Sequence, residues 1–387
     1  VVKLIAGKMV PFRRSRGFAP VPIPLAFSLP APVLALGSQM NCTVALGIED
    51  RVYISQHIGD IDSTQTEAFY EETVNDLLKL FNTTPDIVIS DMHPGYYSTR
   101  YGERYFKEKL NKVQHHYAHI LSCMAENSLG NDREVIGIAF DGTGHGTDGT
   151  IWGSEIMTAS YKGFIRKFHL LPFQLPGGDM AIKDPRRTAF SLLYSAFKKD
   201  AQNRAGDLLS AKEQIFLTEM LNKNIRSPLT SSMGRLFDGI AFILGLRRQV
   251  SYNAQAAILL EQQAARAVTT EYYDFNLRGE IIDHLPIIRG VVNDRDSGIQ
   301  ICTISRKFHN SIALIIRDTA KLIREETGIK EVVLSGGVFQ NAELLLMTLN
   351  LLQDSGFKPL VHQLVPPNDG GLSLGQVVSS LGFINST

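Results

Sequence analysis

The stretch Val135-Ile136-Gly137-Ile138-Ala139-Phe140-Asp141-Gly142-Thr143-Gly144 decides how this chain folds. Its apolar run has the length of one buried strand, and the acid-glycine sequence that follows turns the chain sharply. Strands are expected next at Thr150 to Thr158 and Phe164 to Leu170. A helix (about Ser305 to Glu326), a strand (Val332 to Ser335), a helix (Val338 to Gln353), a strand (Leu360 to His362) and a last helix (Leu372 to Leu381) complete the series. The same order stands upstream. Val33 to Gly37, Cys42 to Ile48 and Arg51 to His57 read as short strands. A helix (about Thr64 to Asn82), a strand (Asp86 to Ser90), a helix near Tyr101 to Leu110, a strand at Val113 and a helix carrying His119 follow them. The repeated order predicts an α/β protein made by internal duplication, although the residues of the two copies scarcely match. From about Pro185 to Val292 the second copy holds a mainly helical insertion.

A duplicated α/β pair leaves a cleft between its halves, where ligands bind. His115 and His119 stand four apart at a helix start, which stacks two imidazoles on one face. Asp141 ends a strand and Asp369 precedes the last helix, so both carboxylates sit at element ends, where binding groups gather. Two imidazoles and two carboxylates make a mixed N/O set suited to iron, zinc or manganese rather than calcium. His116 points about 100° away from its neighbours by the helical period. It could orient a substrate, act as a general base or serve structure alone. Backbone N–H groups in Gly37-Ser38-Gln39, Asp141-Gly142-Thr143-Gly144 and Ser335-Gly336-Gly337-Val338 could hold phosphate, or the glycines could simply make turns. Lys183 and Arg186 have the charge to meet phosphate or to form ion pairs in an exposed loop. His93 reads as a turn residue.

The 387 residues allow two core-forming units, and the 44% hydrophobic and 20% charged fractions are ordinary for a globular protein. Lys+Arg and Asp+Glu both number 39, which gives no global field for nucleic acid or an acidic membrane. The one strong basic run, Arg13-Arg14-Ser15-Arg16, reads as a solvated loop. Residues 1–30 are basic and then proline-rich, as in a tail and linker. Cys42, Cys123 and Cys302 are odd in number and far apart, which suggests buried thiols in a reducing cytoplasm. No signal peptide is evident, and no apolar run nears the roughly 20 residues that span a bilayer.

Eight segments together resemble one family. They are Ser55-Gln56-His57-Ile58-Gly59-Asp60, Asp91-Met92-His93-Pro94-Gly95-Tyr96, Gln114 to His119, Phe140 to Gly144, Leu175 to Asp179, Gly234-Arg235-Leu236-Phe237-Asp238, Ser335 to Val338 and Asn368 to Gln376. In this order they resemble the carbamoyltransferase domain of the hydrogenase maturation factor HypF, of the duplicated actin/hexokinase/Hsp70-type (ASKHA) fold. Pro11 to Phe18 is similar to the end of the YrdC-like domain that precedes it. The resemblance implies an upstream tail and linker over 1–30, a first subdomain over 31–129, and a second over 130–387. The insertion falls at about 185–292, and the last helix is free to pack back on the first subdomain. It further implies upstream acylphosphatase, zinc-finger and YrdC-like domains, and transfer of a carbamoyl group from a carbamoyl adenylate to the C-terminal cysteine of HypE for the cyanide ligands of [NiFe] hydrogenase. By the same resemblance His115, His119, Asp141 and Asp369 match metal ligands, with iron, zinc or magnesium as the ion. Gly142, Thr143, Gly144, Gly336, Gly337, Asn341 and Asp238 match contacts to ATP, AMP or the adenylate. His116 and Lys183 are the candidates for direct work on the substrate. Relatives usually carry Glu-Gly where this chain has Asn253-Ala254.

Other readings of such a chain are an O-carbamoyltransferase, a tRNA threonylcarbamoyltransferase, a kinase of the same fold, or a nucleotide-gated binding module with a structural metal. The zero net charge argues against tRNA, and a kinase has no need of the histidine pair. A metallopeptidase is excluded, because His116-Tyr117-Ala118 offers no glutamate between the histidines.

Overall fold

Val135–Phe140 forms a strand whose six residues are all buried. The computed structural model describes residues 1–387 except 6, 16, 248, 249 and 385–387. In the first half the core strands are β1 (Val33–Ala35), β2 (Ala45–Ile48), β3 (Arg51–Ile54), β4 (Ile87–Asp91) and β5 (Leu110–Val113). In the second they are β6 (Val135–Phe140), β7 (Ser154–Ser160), β8 (Gly163–Leu170), β9 (Glu331–Ser335) and β10 (Lys358–Leu360). Each half begins with an antiparallel meander and adds two parallel strands beside its first strand. The spatial orders are therefore the same, β3-β2-β1-β4-β5 and β8-β7-β6-β9-β10. That repeat is the duplicated actin/hexokinase/Hsp70-type architecture, and it survives where residue identity between the halves does not.

Helices cover the sheets through apolar stripes. Ser63 caps α1 (Thr64–Leu80) in a reciprocal box with Thr66, and Tyr70, Thr73, Val74 and Leu77 form its buried stripe. Helix α2 (Tyr97–Tyr105) begins before the expected Tyr101. Helix α3 (His115–Glu126) is buried along nearly its whole length, which places it between the two sheets. The insertion opens with α4 (Pro185–Phe197) and includes α5 (Met233–Ile243). It is not wholly helical: Asn276–Arg278 and Ile281–Asp283 form a hairpin that extends the second sheet at β8. The long α6 (Ile301–Thr327) stops at Gly328, which takes a left-handed φ of 75°. Helix α7 (Ala342–Asp354) follows β9.

The expected last helix is split: α8 (Leu372–Val378) packs on β1 to β4 of the first sheet and against α3, and a short helix, Ser380–Ile384, follows it. Gly375 permits that closeness, since a Cβ there would stand 1.8 Å from the Ala118 carbonyl oxygen.

The N-terminal segment is more than a linker. Val2–Ile5 and Lys8–Pro11 form a hairpin, and Ile23–Pro24 pairs with β3. Lys3 pairs with Glu261 at 2.8 Å, and Asn368 donates to the Phe12 carbonyl at 3.2 Å. Arg14 corrects the expectation of a solvated basic run. It is 3% exposed and donates to the carbonyls of Ile54 and Val21 at 3.3 and 2.5 Å. Burial lowers its pKa to about 10. Arg13 is exposed, and Arg16 lies outside the described residues. Cys42 and Cys123 are buried, whereas Cys302 is only half-buried, so the expectation of buried thiols holds for two of them. No helix among the described residues is long and apolar enough to cross a membrane.

Candidate active site

Two local rules begin the site. Gln114 caps α3 by accepting from the Tyr117 N–H, which fixes where the helix starts. From that start the four-residue spacing lays His115 and His119 together, ring centroids 4.9 Å apart. Strand β6 brings Asp141 to the same place from its C-terminal end, and the turn before α8 brings Asp369. One ligand atom from each of the four residues lies within 4.8 Å of the others.

The distances define the cluster. His119 Nε2 is 3.0 Å from Asp141 Oδ2 and 3.7 Å from Asp369 Oδ1. His115 Nε2 is 3.4 Å from Asp141 Oδ2 and 3.7 Å from Asp369 Oδ1. Asp91, which ends β4, holds the other nitrogen of His115 at 2.6 Å. A carboxylate only accepts, so Nδ1 carries the proton and Nε2 presents a lone pair to the cluster. That Nε2 is buried with no hydrogen-bond partner among the described residues. A buried imidazole nitrogen facing two carboxylates fits a divalent cation, and the N/O donor set fits iron, zinc or manganese. Electrostatics agree with the crowding. Burial would push Asp141 up, but His115 and His119 hold its carboxyl well below the usual range. Burial likewise opposes charge on His115, yet Asp91 and Asp369 raise its pKa well above the ordinary value, so without an ion Nε2 takes a second proton, and a cation bound at the cluster would take that proton's place.

Asp91, which orients the His115 ring, is a residue that the sequence did not single out. Its signal was an acid at the end of an apolar strand, inside a segment noted only for resemblance.

His116 faces elsewhere, and its tautomer can be read. The Gln114 amide nitrogen donates to the His145 carbonyl at 3.1 Å and to His116 Nδ1 at 3.1 Å. His116 Nδ1 is thus an acceptor and Nε2 bears the hydrogen, buried and without a partner among the described residues. Burial pushes its pKa well below the ordinary value. A neutral ring in this tautomer is a hydrogen-bond donor; its lone pair is already taken, which disfavours the general-base alternative. His93 is a turn residue as read, accepting from the Gly95 N–H at 3.0 Å.

The glycine segments divide. Gly37 is taken: Gln376 on α8 accepts its N–H at 2.7 Å and donates to its carbonyl at 3.0 Å. That pairing favours the simple-turn alternative at Gly37 over a phosphate contact. Gly142 donates its N–H to Asp141 Oδ1 at 2.7 Å, Thr143 is half-buried, and Gly144 passes so close to His116 that a Cβ would stand 2.4 Å from the ring. Gly336, at φ 99°, packs on the Phe140 carbonyl, and a Cβ on Gly337 would stand 3.1 Å from Asp141 Oδ1. The two glycine loops therefore flank the same aspartate.

The remaining candidates are spread around this centre. Asn341 caps α7 through Leu344 and donates its amide to His309 at 2.9 Å, so its side chain is already engaged. Asp238 on α5 is buried and paired with Arg235 at 3.0 Å; burial raises its pKa against the effect of that arginine. Lys183 is exposed at the end of a short helix. Arg186 is committed to Asp184 and Glu213 at 2.7 Å each, which supports the ion-pair reading over phosphate. Ala254 stands in the left-handed region at φ 60°.

Comparisons with known proteins bear on this geometry. The family model described as "HypF Kae1-like domain" matches residues 28–126, and that described as "Carbamoyltransferase, Kae1-like Domain, second subdomain" matches residues 137–376. The carbamoyltransferase HypF of Synechocystis sp. is 40% identical over 400 residues, covering 98% of this chain and 51% of that protein. A carbamoyltransferase HypF homolog from Cupriavidus necator is 32% identical over 359 residues, covering 89% of this chain and 90% of its own length. The crystal structure of full-length HypF in the phosphate- and nucleotide-bound form superposes with a TM-score of 0.95 at 40% identity, over 100% of this chain and 51% of that one. Apart from the shorter Cupriavidus homolog, the chain spans about half the length of the curated relatives it matches. With both of its sheets inside these matches, the chain belongs to the HypF carbamoyltransferase family, as the region that carries the Kae1-like domain.

Proposed function

We propose that this chain transfers a carbamoyl group from a carbamoyl adenylate to a cysteine thiol, that of the HypE C-terminal tail. The single observation carrying this reading is that Asp141 joins two features: its Oδ2 faces His115 and His119, and its Oδ1 lies beside Gly142 and Gly337 of the glycine loops. A cation site and a phosphate site sharing one aspartate suit a mixed anhydride, whose carbonyl and phosphate are adjacent. His115, His119, Asp141 and Asp369 would hold an iron, zinc or magnesium ion, which when bound supplies Lewis-acid polarisation of an oxygen.

The chain's own groups do the rest. Asp91 fixes the His115 ring, so the lone pair faces the cluster without rearrangement. His116 Nε2–H is a donor for a substrate oxygen, in keeping with its fixed tautomer. Lys183 and the loops at Gly142 to Gly144 and Gly336 to Gly337 are assigned to the nucleotide side, with Asp238 and Asn341 at its edges. In the transfer the incoming thiolate forms a bond to the carbamoyl carbon, the bond to the phosphate oxygen breaks, and AMP leaves with the electron pair. No nucleophile from Cys42, Cys123 or Cys302 is required. We assign residues 31–129 and 130–387 as the two subdomains and 1–30 as the end of a YrdC-like domain. Acylphosphatase and zinc-finger domains would stand upstream in the whole protein, in a reducing cytoplasm.

The test is direct. Incubated with carbamoyl adenylate and a peptide of the HypE C-terminal tail, the chain is expected to add a mass of ~43 to the peptide, as thiol carbamoylation requires. A folded, metal-loaded chain that leaves the peptide mass unchanged overturns the reading.

A further inference from the structure

One buried cation near the glycine loop is not absorbed by the residues assigned above. Arg235, in the first turn of α5, is 9% exposed. Its Nη1 spends both contacts on protein, 3.0 Å from Asp238 Oδ2 and 3.3 Å from the Ile182 carbonyl. Its Nε is buried and has no hydrogen-bond partner among the described residues. Its Nη2 lies 3.4 Å from the point where a Cβ on Gly142 would stand. The guanidinium therefore lies against the Asp141-Gly142 turn, one residue from the cation cluster.

This placement is built. Gly234 N–H donates to the Asp141 carbonyl at 3.0 Å, and Ser232 Oγ donates to the Asp141 and Gly142 carbonyls at 3.1 and 2.7 Å. The same Oγ accepts from the Arg235 N–H at 3.1 Å and caps the helix. The positive end of an eleven-residue helix is thereby stitched to the turn. The turn itself is short of donors, because the Gly142 N–H is spent on its own neighbour's carboxylate. An anion here needs a donor from outside the loop. A buried guanidinium with nitrogens to spare is such a donor, whereas Lys183 is exposed and offers only a point charge.

We propose that Arg235 grips the phosphate of the nucleotide at the Gly142 turn, holding it in the adenylate and as the charge of the departing AMP. The proposal rests on the nucleotide reading above and adds to it the residue that meets the phosphate. Asp238, in direct contact at 3.0 Å, acts as the positioning residue that keeps the guanidinium pointed at the turn.

The experiment is equilibrium binding of AMP and of adenosine to the full chain by calorimetry, for the wild type, R235Q and R235K. A charge-assisted contact to phosphate predicts that R235Q weakens AMP on the order of 10- to 100-fold and changes adenosine by less than about twofold. R235K recovers part of the AMP affinity, and raising the salt narrows the difference between wild type and R235Q. Equal losses for AMP and adenosine overturn the proposal, since a structural arginine would weaken both. An unchanged AMP affinity in R235Q overturns it as well, while leaving the nucleotide reading in place. A wild type that binds neither compound sinks that reading and this proposal together. Should R235Q not fold, R235K carries the same contrast between the two compounds, and wild-type AMP affinity in R235K at high salt alone would count against a phosphate contact.

Discussion

Asp91 Oδ2 and His115 Nδ1 are 2.6 Å apart, so the last residue of one strand sets the ring orientation of the first residue of a helix. His119 has no equivalent: its Nδ1 is buried without a partner among the described residues. The two imidazoles are therefore unequal: both face Asp141 through Nε2, but only His115 is also held at Nδ1 by a carboxylate. Replacing Asp91 by Asn removes the charge and lets an amide nitrogen face Nδ1. D91N is expected to weaken divalent-metal affinity about 10- to 100-fold while the chain stays folded. Chelator competition reads the affinity, and an unchanged value would separate Asp91 from the metal function.

Gly375 to Ala should be costly for its size. The added carbon would fall 1.8 Å from the Ala118 carbonyl oxygen and 2.8 Å from the Ser122 nitrogen, both backbone atoms of α3. Overpacking of this kind costs about 1–3 kcal/mol, and here the helices must separate as well. The urea midpoint of G375A should fall, and because Ala118 adjoins His119, its metal affinity should fall with it.

Ala254 to Gly should stabilise. At φ 60° an alanine is strained in a region that glycine enters freely. The residue is exposed, so little contact is lost. A gain of about 0.5–1 kcal/mol in denaturant unfolding is the expected result, and a loss would mean that the methyl group packs usefully.

Acid should destabilise the chain through two histidines away from the cluster. Burial lowers the pKa of His284 and His309 to about 4 in the folded chain. For His309 the structure supplies the reason: Nδ1–H donates to the Ser305 carbonyl at 2.7 Å and Nε2 accepts from Asn341 at 2.9 Å, so no site is left for a second proton. Between about 6.5 and 4 the unfolded chain binds the protons that the folded chain refuses, so stability falls with falling pH across that window. Each site can lose on the order of 3 kcal/mol. Unfolding midpoints at pH 7 and pH 4.5 should differ less in H309Q than in the wild type.

How much of this could be read in the residues themselves depends on distance along the chain. Strands such as Val135–Phe140 and the four-residue spacing of His115 and His119 are local patterns, and the duplicated order follows from stringing such patterns together. Asp141 and Asp369 were visible as acids at element ends. Asp91 and Arg235 were not, because a carboxylate after a strand and an arginine near a helix start acquire meaning only from what lies across the fold. The hairpin at Asn276–Arg278 and Ile281–Asp283 escaped for the same reason: three-residue strands have too little alternation to show, and the neighbouring β8 is distant in sequence. Gly37 stayed open between a turn and a phosphate contact because the group that takes its N–H, Gln376, is 339 residues away. Arg14 looked solvated because its partners, the carbonyls of Val21 and Ile54, are backbone groups that leave no mark in a sequence.

The return of α8 to the first sheet also governs how the two halves can move. The chain passes from the first half to the second after α3 and comes back before α8, and these two helices touch at Gly375 and Ala118. Two crossings side by side have the form of a hinge, so the relative motion expected of the halves is a swing about that helix pair rather than a sliding apart. His115, His119 and Asp369 lie on or beside this helix pair, while the α5 end of the Gly142 loop lies on the second half. A cation held there would keep three of its four candidate ligands through such a swing.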